Sequence, residues 1–235
     1  MKPIGVTIIS SSYKKVGEEA VRRFKKHTGL LVKIVRCYDL DGFQQKLELD
    51  RIVGRRPAVF FDADLWFVRP VALGGHGFHA AHDPAVFDAR SWPAKDCVEF
   101  GMDPLQYFNT GLMVLDFRLQ EHRALFQNAR KLAGKQSLIK RMADKTDQGW
   151  INMAAQQMGL QWGRLPASFN FYMAAAIWGC VLSIPRVIYG IHAAGVPAKH
   201  KHGVLRAQAA TFGQHVEPMQ DAALRFHHAY QEEFR

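Results

Sequence analysis

The sequence predicts an α/β protein with a mostly parallel central sheet flanked by helices, and three observations predict it. Short apolar runs alternate with amphipathic stretches, and the first three units read β-α-β, which implies a right-handed parallel crossover. The run Ala58, Val59, Phe60, Phe61 is continuous rather than alternating and is bounded by Pro57, the pattern of a strand covered on both faces. At 235 residues, 48% hydrophobic and 22% charged, the chain can bury one sizeable core and is too apolar for a disordered segment.

In order, Ile4 to Ile9 predicts the first strand, with Ser10, Ser11, Ser12 and Tyr13 at its carboxyl end. Val16, Ala20, Val21 and Phe24 then repeat at helical spacing while Lys14, Lys15, Arg22, Lys25 and Lys26 lie mostly opposite, and Gly29 supplies a stop. Leu30 to Cys37 is a second strand. A helix from about Phe43 to Val53, with Leu47, Leu49, Ile52 and Val53 inward, leads through Gly54 into the strand at 58–61. Gly74, Gly75 and Gly77 lack the order of a phosphate loop and read as a turn, and Phe78 to His82 as a strand. Ser91 to Gly101 shows no clear periodicity and reads as a loop. Leu112 to Phe117 is a strand, Leu119 to Ala133 a helix closed by Gly134, and Thr146 caps a helix running through Met158 to Gly159. Arg164 to Asn170 is a loop and Val187 to His192 a last strand; Asp221 to Arg235 reads as an amphipathic helix.

The strand at 58–61 stops at Asp62 and Asp64, separated only by Ala63. Open α/β sheets place ligands at the carboxyl ends of their strands. Two carboxylates there repel each other unless a cation lies between them; hard oxygen donors suit Mg²⁺ or Mn²⁺, and such an ion would hold a diphosphate. A solvated turn is the alternative reading of the same residues.

Charge sorts partners without selecting one. Lys+Arg 31 against Asp+Glu 21 gives +10 at pH 7, which favours nucleotide phosphates, an anionic membrane surface or nucleic acid. Cys37, Cys97 and Cys180 are widely spaced and odd in number, which excludes a disulfide framework and zinc-ligand spacing. The N-terminal apolar run is too short for a signal-peptide core, and the uncharged stretch at 165–185 is interrupted by Pro166, Asn170 and Gly179, so a cytoplasmic protein is expected.

Six blocks, in order, carry a resemblance: TIISSSY, KLELDRIVGRRPAVFFDADLWFV, YFNTGLMVLDF, TDQGWINMAAQ, LPASFN and VIYGIHAAGVPAKHK. Together they resemble the nucleotide-sugar glycosyltransferases of the GT-A fold, most closely family 8, which includes glycogenin and lipopolysaccharide galactosyltransferases and glucosyltransferases. The resemblance implies a metal, usually Mn²⁺ (or Mg²⁺), held by Asp62, Asp64 and His192. It implies a UDP-sugar donor whose base and ribose meet Ser10, Ser12 and Tyr13, whose diphosphate meets Lys46 and Lys199, with Gly195 beside it, and whose hexose meets Asp83, Asn109, Asp147 and Gln148. Gly111 would allow close backbone approach. Gln148 would lie beneath the anomeric carbon as electrostatic support, with Asp147 in the same block. Retention of configuration follows from the resemblance alone.

The chain departs from the family at Gly149, where an aspartate is usual, and in the last block, where Lys199 comes one place late and His200 follows it. Lys201 is then the substitute for Lys199. A single domain over 1–235 is expected, with residues 1–70 as nucleotide-binding half, 71–205 as donor-sugar and acceptor half and 206–235 as a helical tail. Hexose transfer to a glycan or other hydroxyl is the expected activity. The rivals are a glycosyltransferase acting on modified nucleic-acid bases, prompted by the basic segment from Ala198 to Arg206, and a nucleotide-sugar-binding protein without catalysis. Arg225, His227 and His228 would be the contacts to an anionic membrane, opposed by Glu232 and Glu233.

Overall fold

The computed structural model describes residues 2–38, 42–73, 77–143, 146–171, 187–194 and 196–213. The turn expected at Gly74 and Gly75, Gly195 and the helix expected over 221–235 lie outside the described residues.

A six-stranded sheet orders the chain as β2-β1-β3-β6-β5-β7. β1 (Ile4–Ser10) lies between β2 (Val32–Cys37) and β3 (Pro57–Phe61), parallel to both. The crossover between the first two strands is α1 (Lys14–Thr28). Beyond β3 the direction changes: β6 (Phe108–Asp116) runs antiparallel to β3, β5 (His79–His82) antiparallel to β6, and β7 (Gly163–Leu165) parallel to β5. The sheet is therefore mostly parallel, with an antiparallel β6 inserted at its centre.

β3 is buried on both faces because successive side chains point to opposite sides. Ala58 and Phe60 join a core beneath α2 (Gly42–Leu47), α3 (Leu49–Val53), α5 (Gln120–Ala133) and α7 (Asp147–Gln157). Val59 and Phe61 join the core on the other face, where Phe61 stacks on Phe24 of α1 with centroids 4.1 Å apart. That second core also holds Trp66 and Phe67 of β4 (Leu65–Phe67), Ile191 of β8 (Gly190–His192) and Leu205 of α8 (Ala198–Gly213).

The loop expected from Arg164 to Asn170 begins inside β7, which pairs with β5, and four further features differ from the sequence expectation. Ser91 to Gly101 is not a loop: α4 (Trp92–Phe100) starts at Ser91, whose hydroxyl accepts from the Ala94 amide, with Pro93 in the first turn. Its apolar periodicity is obscured because Trp92 and Val98 face solvent. The helix expected over 43–53 is split at Glu48 into α2 and α3. The segment after Asp64 forms β4, antiparallel to β8 in a second, two-stranded sheet. Finally, α8 runs unbroken from 198 to 213, across the boundary expected at 206. The short α6 (Gln136–Ile139) completes the helices named here.

Candidate active site

Asp62 and Asp64 sit on the turn that links β3 to β4. The Asp62 amide donates to the Gly111 carbonyl of β6 (2.9 Å), and the Leu65 amide to the Asp62 carbonyl (3.0 Å), so the turn is tied to the sheet centre. β4 then carries the chain against β8, pairing Leu65 with His192. The Ala193 amide donates to the Asp64 carbonyl (3.1 Å), closing the strands beside the carboxylates. His192, 128 residues after Asp64 in the chain, thereby places its Nε2 at 3.3 Å from Asp64 Oδ1 and 3.6 Å from Asp62 Oδ2. One donor atom from each of the three residues lies within 4.8 Å of the others.

Two lysines flank this group. Lys46, on α2 and only 6% exposed, donates to Asp62 (2.8 Å) and to Asp147 (2.9 Å) and lies 4.9 Å from the centre of the Phe60 ring. Burial alone would lower its pKa, but the carboxylates of Asp147 and Asp62 more than reverse this and hold it charged. Lys201, on α8, donates to Asp64 and to the Ala193 carbonyl (2.7 Å), with its ammonium 5.2 Å from the Tyr13 ring centre. The two aspartates consequently differ. Enclosure raises Asp62 against the pull of Lys46, whereas at Asp64 the same penalty is outweighed by Lys201 and His192, and its carboxyl falls well below the usual range.

A second polar group continues from the first through Asp147. Its Oδ2 accepts from Thr110 Oγ1 (2.8 Å), and the Thr110 amide donates to Gln148 Oε1 (3.0 Å). Gln148 Nε2 donates to Asp83 Oδ2 (2.8 Å), which also accepts from Asn109 Nδ2 (3.3 Å). Asn109 Oδ1 in turn accepts from the Gly111 amide (2.8 Å) and from Asn170 Nδ2 (2.7 Å). Asn152 holds β6 against α7: its side chain both accepts from the Phe108 amide and donates to the Phe108 carbonyl, each at 2.8 Å. That clamp sets the register between Asn109 and Thr110 on the strand and Asp147 and Gln148 at the start of the helix.

Both groups open into one cavity of about 590 Å³. It brings together Asp62, Asp64, His192, Lys46, Asp83, Asn109, Asp147 and Gln148 with Ser10 and Tyr13. Burial, and then the Asp64 charge, push the Tyr13 hydroxyl up. Two residues expected here lie elsewhere: Ser12 is exposed beyond the lining, its hydroxyl 3.5 Å from that of Ser10, and Lys199 is exposed on the first turn of α8. Lys201, two residues further and turned inward on the same helix, takes the buried position. Thr110 and Asn152 carry geometry that the sequence reading did not assign. Thr110 stood within the YFNTG block and Asn152 within the TDQGWINMAAQ block, but neither block assigned them a role, because the part a buried asparagine plays on a helix is marked only by its strand partner.

Solved structures share this architecture. WbbM, a bifunctional glycosyltransferase, superposes with a TM-score of 0.59 at 16% identity over 83% of this chain and 46% of its own. GlyE of Streptococcus pneumoniae TIGR4 gives 0.56 at 16% identity, over 81% and 55%. Mouse xyloside xylosyltransferase 1 gives 0.57 at 10% identity, over 84% and 100%. The fold is a GT-A glycosyltransferase fold. The chain spans about half the length of the first two, and no family model or curated protein sequence matches it.

Within the GT-A fold, the turn after β3 and the end of β8 form an Asp-Asp-His group that could hold a metal. Two carboxylates and one imidazole are a mixed oxygen and nitrogen donor set that fits Mn²⁺ or Mg²⁺. No helix among the described residues is long and apolar enough to cross a membrane.

Proposed function

We propose that this protein transfers a hexose from a nucleoside diphosphate sugar, UDP-linked, to an acceptor hydroxyl, and that Asp62, Asp64 and His192 hold the divalent ion the reaction uses. The observation that carries this reading is the convergence of those three residues, from a turn and a distant strand, at the wall of a cavity that also contains the Asp83, Asn109, Asp147 and Gln148 network.

Bound there, the ion would supply Lewis-acid compensation for charge developing on the departing diphosphate. The chain's own groups divide the remaining work. Lys201 and Lys46, now spent on Asp64 and Asp62, carry fixed positive charge into a poorly solvated cavity, where it acts most strongly on phosphate oxygens. Ser10 ends β1 and Tyr13 follows it, on the side of the cavity where a base and ribose fit beside the metal group. Asp83 and Asn109 present a carboxylate and an amide already fixed by neighbours, which suits sugar hydroxyls because their positions need no reorganisation. Gln148 is held at both ends, by the Thr110 amide and Asp83, so its amide dipole is set before substrate arrives; it supports positive charge at the anomeric carbon and is too weak a nucleophile to attack it.

Calorimetric titration with UDP and Mn²⁺ tests this. Wild type binds UDP only with the metal present, and Asp64→Ala abolishes the metal-dependent part. Equal UDP affinity in wild type and Asp64→Ala, each with Mn²⁺, would overturn the assignment. The variant also leaves Lys201 beside the cavity without its carboxylate, so its fold is checked by circular dichroism first.

A further inference from the structure

We infer that Trp92 is the platform on which the acceptor binds, and that the acceptor is therefore a pyranoside, stacked by its ring, with Arg90 beside it for the hydroxyls. This rests on the donor reading above and deepens it.

Trp92 lines the cavity yet is 59% exposed, so it borders the opening. A large aromatic at the first position of a short helix contributes almost nothing to the core from there, and the α4 helix is anchored instead by Pro93, Ala94 and Cys97. What the indole offers is an open π face. The axial C–H bonds of a pyranose ring are electron-poor, and they fit the negative face of an aromatic ring while the equatorial hydroxyls stay at the ring's edge.

The platform is not loosely attached. The Ser91 hydroxyl donates to the Ala85 carbonyl (2.6 Å), and the Ala85 amide donates to Asp83 Oδ1 (2.9 Å). Asp83 Oδ2 is the acceptor for Gln148 and Asn109. Two hydrogen bonds therefore connect Ser91, the residue before Trp92, through Ala85 to Asp83, one of the groups assigned to the transferred sugar. Of the other aromatic residues in the lining, Tyr13 stands with Lys201 and Asp64 at the metal group, which suits a base and not an acceptor, Phe60 is buried beneath Lys46, and Phe43, smaller than an indole, sits on α2, the helix that carries Lys46. Arg90 lines the cavity two residues before Trp92, and Asp88 fixes its guanidinium plane through Nε (3.0 Å) and Nη2 (3.1 Å).

The test uses the full chain with its tryptophans replaced by 5-fluorotryptophan and observed by fluorine NMR in saturating UDP and Mn²⁺. Trp92→Phe assigns the Trp92 signal. Methyl glucopyranoside, methyl galactopyranoside and methyl xylopyranoside are the probes. At least one shifts the Trp92 signal saturably at millimolar concentration, and glycerol at the same concentration does not. In parallel, Trp92→Leu lowers pyranoside transfer from UDP-glucose or UDP-galactose roughly tenfold or more in kcat/KM, while Trp92→Phe retains most of it. UDP affinity near the wild-type value checks that the variants are folded. If UDP binds with Mn²⁺ but no pyranoside moves the Trp92 signal, or if Trp92→Leu transfers as well as wild type, the acceptor platform is overturned and the donor reading stands. If wild type fails to bind UDP with Mn²⁺, both fall together.

Discussion

A methyl group on residue 111 would stand 2.4 Å from Cε1 of His192, 2.9 Å from its Nδ1 and 2.8 Å from Oδ1 of Asn109. The sequence reading gave Gly111 to a close approach of backbone and ligand; the approach that the structure shows is that of the imidazole expected to bind the metal. Gly111→Ala therefore acts on His192 before it acts on substrate. Neither a buried ring nor β6 can retreat cheaply, so one of them shifts. Manganese affinity is expected to fall roughly 10- to 100-fold, as when the support of a ligand is lost, with Asp62 and Asp64 both intact. Manganese electron paramagnetic resonance measures it, and unchanged affinity would show that the ring takes no part. Asp62, Asp64, Asn109 and Gln148 were legible as candidates because short motifs carry them. Lys201 was legible only as the substitute for Lys199, because which of two nearby lysines points inward depends on the phase of α8, and that phase is set by Leu205, Ala209 and Phe212 packing into the core that holds β4 and β8.

At the level of elements, the legible parts were those with strong local patterns. β1, β2, β3 and α1 follow from apolar runs and an amphipathic repeat, and the second half of β6 from the apolar run that begins at Leu112; its polar first half, from Phe108 to Gly111, was not read as strand. The antiparallel direction of β6 was not legible, since a fully buried strand has the same pattern in either direction. Nor was the sheet of β4 and β8: three residues a side carry no periodicity, and their pairing joins segments far apart in sequence. This small sheet is nonetheless what delivers His192 to the aspartates. Its weak point is Gly190, where an added Cβ would meet the Phe169 carbonyl oxygen at 2.2 Å, a contact with backbone that no rotamer relieves. The same backbone stretch is bonded there, with the Phe171 amide donating to the Gly190 carbonyl at 3.0 Å. Gly190→Ala is expected to destabilise the protein by about 1–3 kcal/mol in urea unfolding and to weaken manganese binding as well. A variant that loses neither would mean that β8 can shift without moving His192.

The whole molecule carries +10 at pH 7 and 11 histidines that add charge on acidification, so two different penalties accumulate as pH falls. The first is general self-repulsion among exposed charges, which salt screens. The second is local. Asp64 and Asp116 both have carboxyls depressed below the ordinary value of 3.8, Asp64 through Lys201 and His192 against its burial, Asp116 through Arg118. Between its folded value and 3.8 each is protonated in the unfolded chain and ionised in the folded one, so the unfolded state binds more protons and stability rises with pH. The stabilisation is complete above about pH 4–5 and is lost progressively as pH falls below the unfolded value. Asp62 has the opposite sign: its carboxyl is raised, so in its window the folded state takes up the proton first and acidification relieves part of its burial cost. Urea unfolding of the chelator-treated protein from pH 7 to pH 2, at low and high salt, separates these contributions. Salt should recover the self-repulsive part of the loss between pH 7 and pH 5, though not the part due to buried His122, whose pKa burial lowers so that the unfolded chain takes up its proton first, and little of the loss below pH 4, where the enclosed Asp64 and Lys201 pair is poorly reached by ions. Asp116→Asn should flatten only the lowest part of the curve, by no more than about 1 kcal/mol, because Arg118 is half-exposed and solvent screens that pair. A decline below pH 4 that salt abolishes in full would assign acid sensitivity to net charge and remove the buried pair from the account.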